Sequence, residues 1–144
     1  MSSRELKDLH ASIRTLAAKF VAEANATLQQ QNPALEVRLT CTWRPQSEQN
    51  ALYAQGRTKP GPKVTWVTQS AHNTDLPDTP DGDAEALDVG VFENGKYLQG
   101  NTARELGFYL RLGPIGERYG LVWGGRWQTP DYPHYERKEW RTAK

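Results

Sequence analysis

Leu6, Leu9, Ile13, Leu16, Phe20, Val21 and Ala24 recur at three- and four-residue steps, the period of a helix with one apolar face. Ser2 and Glu5 have the spacing of a capping box ahead of this run, and Asn32-Pro33 follows it. The pattern predicts a helix of about six turns ending near Gln31. Glu36 to Thr42 then alternates polar and apolar residues, as a strand with one buried face does, and delivers Trp43 and Arg44 at its end. Gln46 to Gln55, between Pro45 and Gly56, reads as a short helix, and Arg57 to Lys63, with Pro60-Gly61-Pro62, as a loop. Val64 to Thr68 and Ala86 to Phe92 are rich in β-branched or other apolar residues. They predict a short strand and a central one, the latter followed by a tight Asn94-Gly95 turn. Thr102 is placed to cap a helix running to about Tyr119 and stopped by Gly120. In that helix Leu106, Tyr109, Leu110 and Leu112 face the core, and Gly113-Pro114 marks an irregularity. Leu121 to Trp140, dense in aromatics and glycine, predicts short strands alternating with loops. Helices at both ends of a strand set without strand-helix-strand rhythm indicate an α+β domain with a small, mostly antiparallel sheet flanked by helices.

Composition narrows the class. The 144 residues suit a single domain, 1–144. With 37% hydrophobic and 24% charged residues the chain is polar, yet its 5 Trp and 6 Tyr supply enough aromatic mass for a core. A formal charge of +1 is too even for a protein whose task is to neutralise a phosphate backbone, so no nucleic acid partner is expected. The single cysteine, Cys41, forms no internal disulfide and no cysteine cluster, and any metal site must therefore draw on histidine and carboxylate. The first residues lack an apolar signal core, and no stretch approaches the ~20 apolar residues of a membrane span. Synthesis in a cytoplasm without a signal peptide, and no membrane partner, is the expectation.

Three histidines exist, so a histidine site can be enumerated. His10 falls among Lys7, Asp8 and Arg14 on the first helix and reads as a solvated surface residue. His72, just after a predicted strand, and His134, among aromatics, sit where strands meet loops, and sites are commonly assembled there. Asp88 interrupts the apolar run from Ala86 to Phe92. A carboxylate there needs an arginine partner, an outward orientation on an edge strand, or a cation. Two imidazoles and one carboxylate with an open fourth position suit a catalytic zinc ion. The loop from Asn73 to Asp83 carries Asp75, Asp78, Asp81 and Asp83 with Gly82. It reads foremost as a solvated loop and secondarily as a calcium (Ca2+) site without EF-hand spacing.

The pieces Ser70-x-His72, Ala86-x-Asp88 and Asp131-x-x-His134 stand in order with Trp43-Arg44, Gln49, Leu52 to Arg57 and Trp123-Gly124-Gly125-x-Trp127. Over roughly Thr40 to Glu136 this resembles the zinc peptidases of peptidoglycan. The resemblance is strongest to the phage L-alanyl-D-glutamate endopeptidases, or endolysins, of the lysostaphin, D-alanyl-D-alanine peptidase and hedgehog fold group. It implies Zn2+ held by His72, Asp88 and His134, with Asp131 as the general base and Arg44 stabilising the oxyanion. It also implies contacts from Ser70, Gln49 and Trp127 to the substrate, Gln49 alternatively orienting Arg44. The implied partner is the peptidoglycan stem peptide, met by a monomer after its release from the cytoplasm to the wall.

Two departures from the family pattern stand out. His72 and Asp88 are sixteen positions apart, with Ala84 where a glycine is expected, so the acidic loop is an insertion between two ligands, a cheap one in closure entropy. Asp131 and His134 are three apart across Pro133, which neither a helix nor a flat strand places on one face. Glu136 shares a strand face with His134 and is the reserve base. The alternatives are a D-alanyl-D-alanine carboxypeptidase or dipeptidase of the same fold, and a wall-binding module that does not hydrolyse. No separate wall-binding module is expected in this chain.

Overall fold

The computed structural model describes residues 2–65, 70–73 and 84–138. Its sheet is organised by β2 (Ala86–Glu93), whose alternation sorts two faces: Leu87, Val89 and Val91 are fully buried in the main core, while Ala86, Asp88 and Gly90 point the other way. β1 (Leu35–Cys41) lies antiparallel along one edge of β2. Along the other edge, β5 (His134–Arg137) pairs with Ala86 to Asp88 and β3 (Lys96–Leu98) with Val91 to Glu93. β4 (Leu121–Trp123) extends the sheet beyond β5. The sheet is five-stranded, with order β1-β2-β5-β4 and β3 attached to β2.

The apolar stripes of α1 (Ala11–Gln31) and α3 (Ala103–Arg118) cover one face. Ile13, Ala17, Phe20, Ala24 and Leu28 meet Phe108, Tyr109, Leu112 and Ile115 over β1, β2, β4 and β5. Each such large side chain contributes about 1.5–3 kcal/mol on burial. Tyr135 of β5 belongs to this core, its ring 4.5 Å from that of Phe20. α3 approaches closely because Gly116 and Gly113 face rings: a Cβ at Gly116 would lie 2.6 Å from Tyr135, and one at Gly113 2.4 Å from Trp123. The helix runs through Pro114, and Thr102 caps it by accepting from the Glu105 N–H. Asn94 and Gly95 both have positive φ, as a two-residue hairpin turn between β2 and β3 requires. Leu110, expected in the core, is 45% exposed.

The N-terminus departs from the expected continuous helix. Ser2 Oγ donates to Glu48 at 2.7 Å instead of capping, and Leu6–Asp8 form one 3₁₀ turn. Leu9 is then extended and bridges Ala84, while the His10 N–H donates to the Ala84 carbonyl at 2.7 Å. Pairing with the chain that enters β2 overrides the helical period, so α1 begins only at Ala11. His10 is its N-cap, Nδ1 accepting from the Ser12 N–H at 3.1 Å, rather than a residue of the helix surface. α2 (Gln46–Ala54) follows β1 as expected. Val64 and Thr65 are not strand, and the remainder of the expected strand lies outside the described residues. So do Asp75, Asp78, Asp81, Asp83 and Gly82 of the acidic loop.

Candidate metal centre

The face of the sheet opposite the helices carries the chemistry. Register sets Asp88 of β2 directly beside His134 of β5, and Ala86 beside Glu136, so these four side chains share one face. The third contributor is the turn at residues 70–73. Ala71 packs on Ala86, the Glu85 N–H donates to the Ala71 carbonyl at 2.7 Å, and the Arg44 N–H donates to the His72 carbonyl at 2.8 Å. Asn73 locks the turn: its Oδ1 accepts from the Ser70 N–H at 2.8 Å, and its Nδ2 donates to the Arg44 carbonyl at 2.8 Å. Ser70 Oγ accepts from the His72 N–H at 3.2 Å, which places this residue beneath the turn.

Hydrogen-bond partners on both nitrogens fix the orientation of each imidazole. A main-chain carbonyl only accepts, so His72 Nδ1, 2.7 Å from the Thr42 carbonyl, carries the hydrogen. Its Nε2 lies 3.1 Å from Asp88 Oδ1. His134 is arranged in the reverse sense, with Nε2 2.9 Å from Glu136 Oε1 and Nδ1 3.1 Å from the same Asp88 Oδ1. One nitrogen of each ring thus converges on a single oxygen of Asp88, while the other nitrogen is held from behind by a second acceptor. Both outer acceptors, Thr42 and Glu136, hold the rings in the orientation a bound metal requires. Two histidines and a carboxylate on this pattern fit zinc.

The electrostatics express the same demand for positive charge. Burial disfavours a charged His72, but the Asp88 carboxylate outweighs it and lifts the ring well above its usual pKa. Burial likewise opposes charge on His134, while Asp88 and Glu136 raise it to about 8. Asp88, which burial alone would raise, is held far below the usual carboxylate range by the two rings.

Arg44 enters from the end of β1. Its Nη1 donates to Gln49 Oε1 at 2.7 Å, and its Nη2 lies 4.0 Å from Asp88 Oδ2. An arginine partner for Asp88, one of the alternatives open from sequence, thus coexists with the histidines. Gln49 of α2 has no exposed surface and spans Arg44 and Thr65, so it lies behind the guanidinium rather than at a substrate surface. Asp131 sits on the exposed rim, in a turn where its carbonyl accepts from the His134 N–H at 3.2 Å and its N–H donates to the Gly124 carbonyl at 2.9 Å. That turn solves the spacing across Pro133. A Cβ at Gly124 would come within 2.6 Å of the Asp131 carbonyl oxygen, so the glycine admits the turn. Partial desolvation, with Asp88 adding to it, raises the Asp131 pKa; His134, His72 and Arg44 pull the other way. Its carboxyl thus senses every member of the centre. Trp127 stacks at a tilt against His134, ring centroids 5.1 Å apart.

Glu136 occupies a different place from the reserve base expected of it. It is 1% exposed and bonded to the far nitrogen of His134, behind the ring. Thr42 and Asn73 are the members that sequence reasoning missed. Thr42 acts through its main chain, Asn73 through a turn, and no local signal marks either.

The peptidase M15 family described as D-alanyl-D-alanine carboxypeptidase matches residues 84–137, which span β2 to β5. The peptidoglycan L-alanyl-D-glutamate endopeptidase CwlK of Bacillus subtilis (strain 168) is 33% identical over 132 residues, covering 90% of this chain and 73% of that protein. The chain belongs to the zinc peptidoglycan peptidase family. The crystal structure of the L-Ala D-Glu endopeptidase ChiX of Serratia marcescens shares the fold, with a TM-score of 0.61 at 16% identity, covering 100% of this chain and 93% of that one. Both named relatives are bacterial enzymes, so the phage origin expected from the resemblance is not supported by them. Nor does any finding support calcium.

Proposed function

We propose that this peptidase hydrolyses the L-alanyl-D-glutamate bond of the peptidoglycan stem peptide, using an ion held by His72, Asp88 and His134. The observation that carries the reading is the convergence of two imidazoles, each held from behind by a second acceptor, on one oxygen of Asp88. Bound there, zinc supplies a Lewis acid and lowers the pKa of water toward neutrality. Asp131, on the rim, accepts the proton of the attacking water and returns it to the departing amine of D-glutamate. Arg44, oriented by Gln49, offers positive charge where the scissile carbonyl oxygen becomes negative. Glu136 and the Thr42 carbonyl position the rings, and Ser70 and Asn73 position the turn that carries His72. Trp127 forms the wall beside His134 against which the stem peptide lies. The choice of bond rests on the similarity to CwlK over 90% of this chain.

Peptidoglycan lies outside the cell membrane, so the chain acts on the wall after leaving the cytoplasm. A lytic, endolysin-like role for a monomer belongs to the same proposal and rests on the motif resemblance around Trp43-Arg44 and Leu52 to Arg57.

The test is a digest of purified peptidoglycan with mass spectrometry of the released ends, with and without EDTA. New N-terminal D-glutamate that disappears on chelation is the expected result. Release of terminal D-alanine instead would move the activity to the D-alanyl-D-alanine carboxypeptidase reading that the matched family's description favours.

A further inference from the structure

Arg44, which the proposed reaction uses for its charge, is drawn two ways. β1 ends beside the centre, where a register shift between Leu39 and Cys41 sets Cys41 opposite Asp88. A bulge of this kind re-aims the chain that follows it, and Arg44 lies three residues on. Its Nη2 stands 3.7 Å from Cys41 Sγ and 4.0 Å from Asp88 Oδ2. Opposite charges at that range attract, and a guanidinium that closed on Asp88 would be withdrawn from the substrate. Gln49 Oε1, which accepts from Nη1 at 2.7 Å, pulls the other way.

Gln49 is itself held. Its Nε2 donates to Thr65 Oγ1 at 3.2 Å, so the buried amide bridges Arg44 and Thr65. Thr65 in turn is tied to α2, the helix that carries Gln49. Arg57 Nη1 donates to the Tyr53 carbonyl, in the last turn of α2, at 2.7 Å and to the Thr65 carbonyl at 3.1 Å. Its guanidinium lies over the Tyr53 ring, 3.8 Å from the centroid. The chain reaches this position through Gly56, whose φ is +78° and where a Cβ would meet the Lys63 main-chain nitrogen at 2.8 Å. One side chain thus fixes the spacing between the two elements that flank Gln49.

Resting on the oxyanion role proposed for Arg44, we propose that Arg57 and Thr65 are positioning residues for the hydrolysis. Together they brace the Gln49 amide, which holds the Arg44 guanidinium off Asp88 and toward the scissile carbonyl. Both act through Gln49 rather than on the substrate.

Steady-state hydrolysis of a soluble stem peptide by the zinc-loaded chain tests the brace, with folding checked by circular dichroism and zinc by elemental analysis. Arg57→Ala and Thr65→Ala are each expected to lower kcat by about 10- to 100-fold, the scale of a small misplacement, with KM and zinc content unchanged. Thr65→Ser, which keeps the hydroxyl, should restore kcat. In a Gln49→Ala chain neither substitution should lower kcat further, because the residue they act through is gone. Wild-type kcat in a folded, zinc-loaded Arg57→Ala or Thr65→Ala chain would overturn the brace, and so would an undiminished loss in the Gln49→Ala background. If Arg57→Ala does not fold, Thr65→Ala and Thr65→Ser decide. Arg44→Ala separates the brace from the reading beneath it. Full activity in that variant, or none in the wild-type chain, would overturn the role of Arg44 and the brace with it.

Discussion

The two histidines of the centre are anchored by different means. His72 sits in a turn, and its outer nitrogen is held by a main-chain carbonyl at Thr42. His134 sits in a strand, and its outer nitrogen is held by the buried carboxylate of Glu136. A carbonyl cannot be mutated away, so the first anchor stands or falls with the path of the chain at residues 42–44 and 70–73. The second is a side chain whose charge tunes the ring it holds. One half of the centre is thus specified by backbone geometry and the other by chemistry.

Removing either ring erases the comparison and has the largest effect. His72→Ala and His134→Ala should each bring bound zinc to near zero by elemental analysis and peptidoglycan hydrolysis to background. Asp131→Asn should lower kcat by about 10²–10⁴-fold, the worth of a general base, with zinc content unchanged. Glu136→Gln probes the chemical anchor alone. It should cost about 10–100-fold in metal affinity or activity, as loss of an outer partner does. A loss in Glu136→Gln that matched Asp131→Asn, with zinc fully retained, would instead assign the base to Glu136.

Asn73→Ala probes the backbone anchor. It strips partners from the buried Ser70 N–H and from the Arg44 carbonyl, and about 1–3 kcal/mol of stability should go with them, read by denaturant unfolding. The smallest effect is on pH dependence. His134 is raised from 6.5 to about 8 in the metal-free fold. Its protonation therefore stabilises that fold fully below pH 6.5, and the contribution is lost as pH rises through about 8. Over the same window the rings become better ligands. The difference in Tm between zinc-loaded and metal-free protein should widen from pH 6.5 to 8.

Much of this is legible along the chain. β1, α2, β2, the Asn94-Gly95 turn and α3 lie close to where periodicity and punctuation put them, because each is specified by contacts a few residues apart. The misplaced charge of Asp88 within an apolar strand marks a site from the residue pattern alone. The start of α1 is not legible, since Leu9 and His10 give up the helical period to pair with Ala84, far along the chain. Glu136 shows its strand face but not which side of His134 it occupies. Cys41 gives no signal at all, because its direction depends on a bulge that exists only in the pairing of β1 with β2.

By itself, then, the sequence determined the inventory: three histidines, one cysteine and one aspartate set in an apolar strand, on elements whose local patterns are strong. The tertiary structure alone decided the assembly. Strand register placed Asp88 beside His134, a docked turn brought His72 to the same oxygen, and a bulge swung Cys41 in beside them. Side-chain periodicity is a local property of the backbone. Convergence of residues 72, 88 and 134 is a property of long-range pairing, which no local pattern encodes.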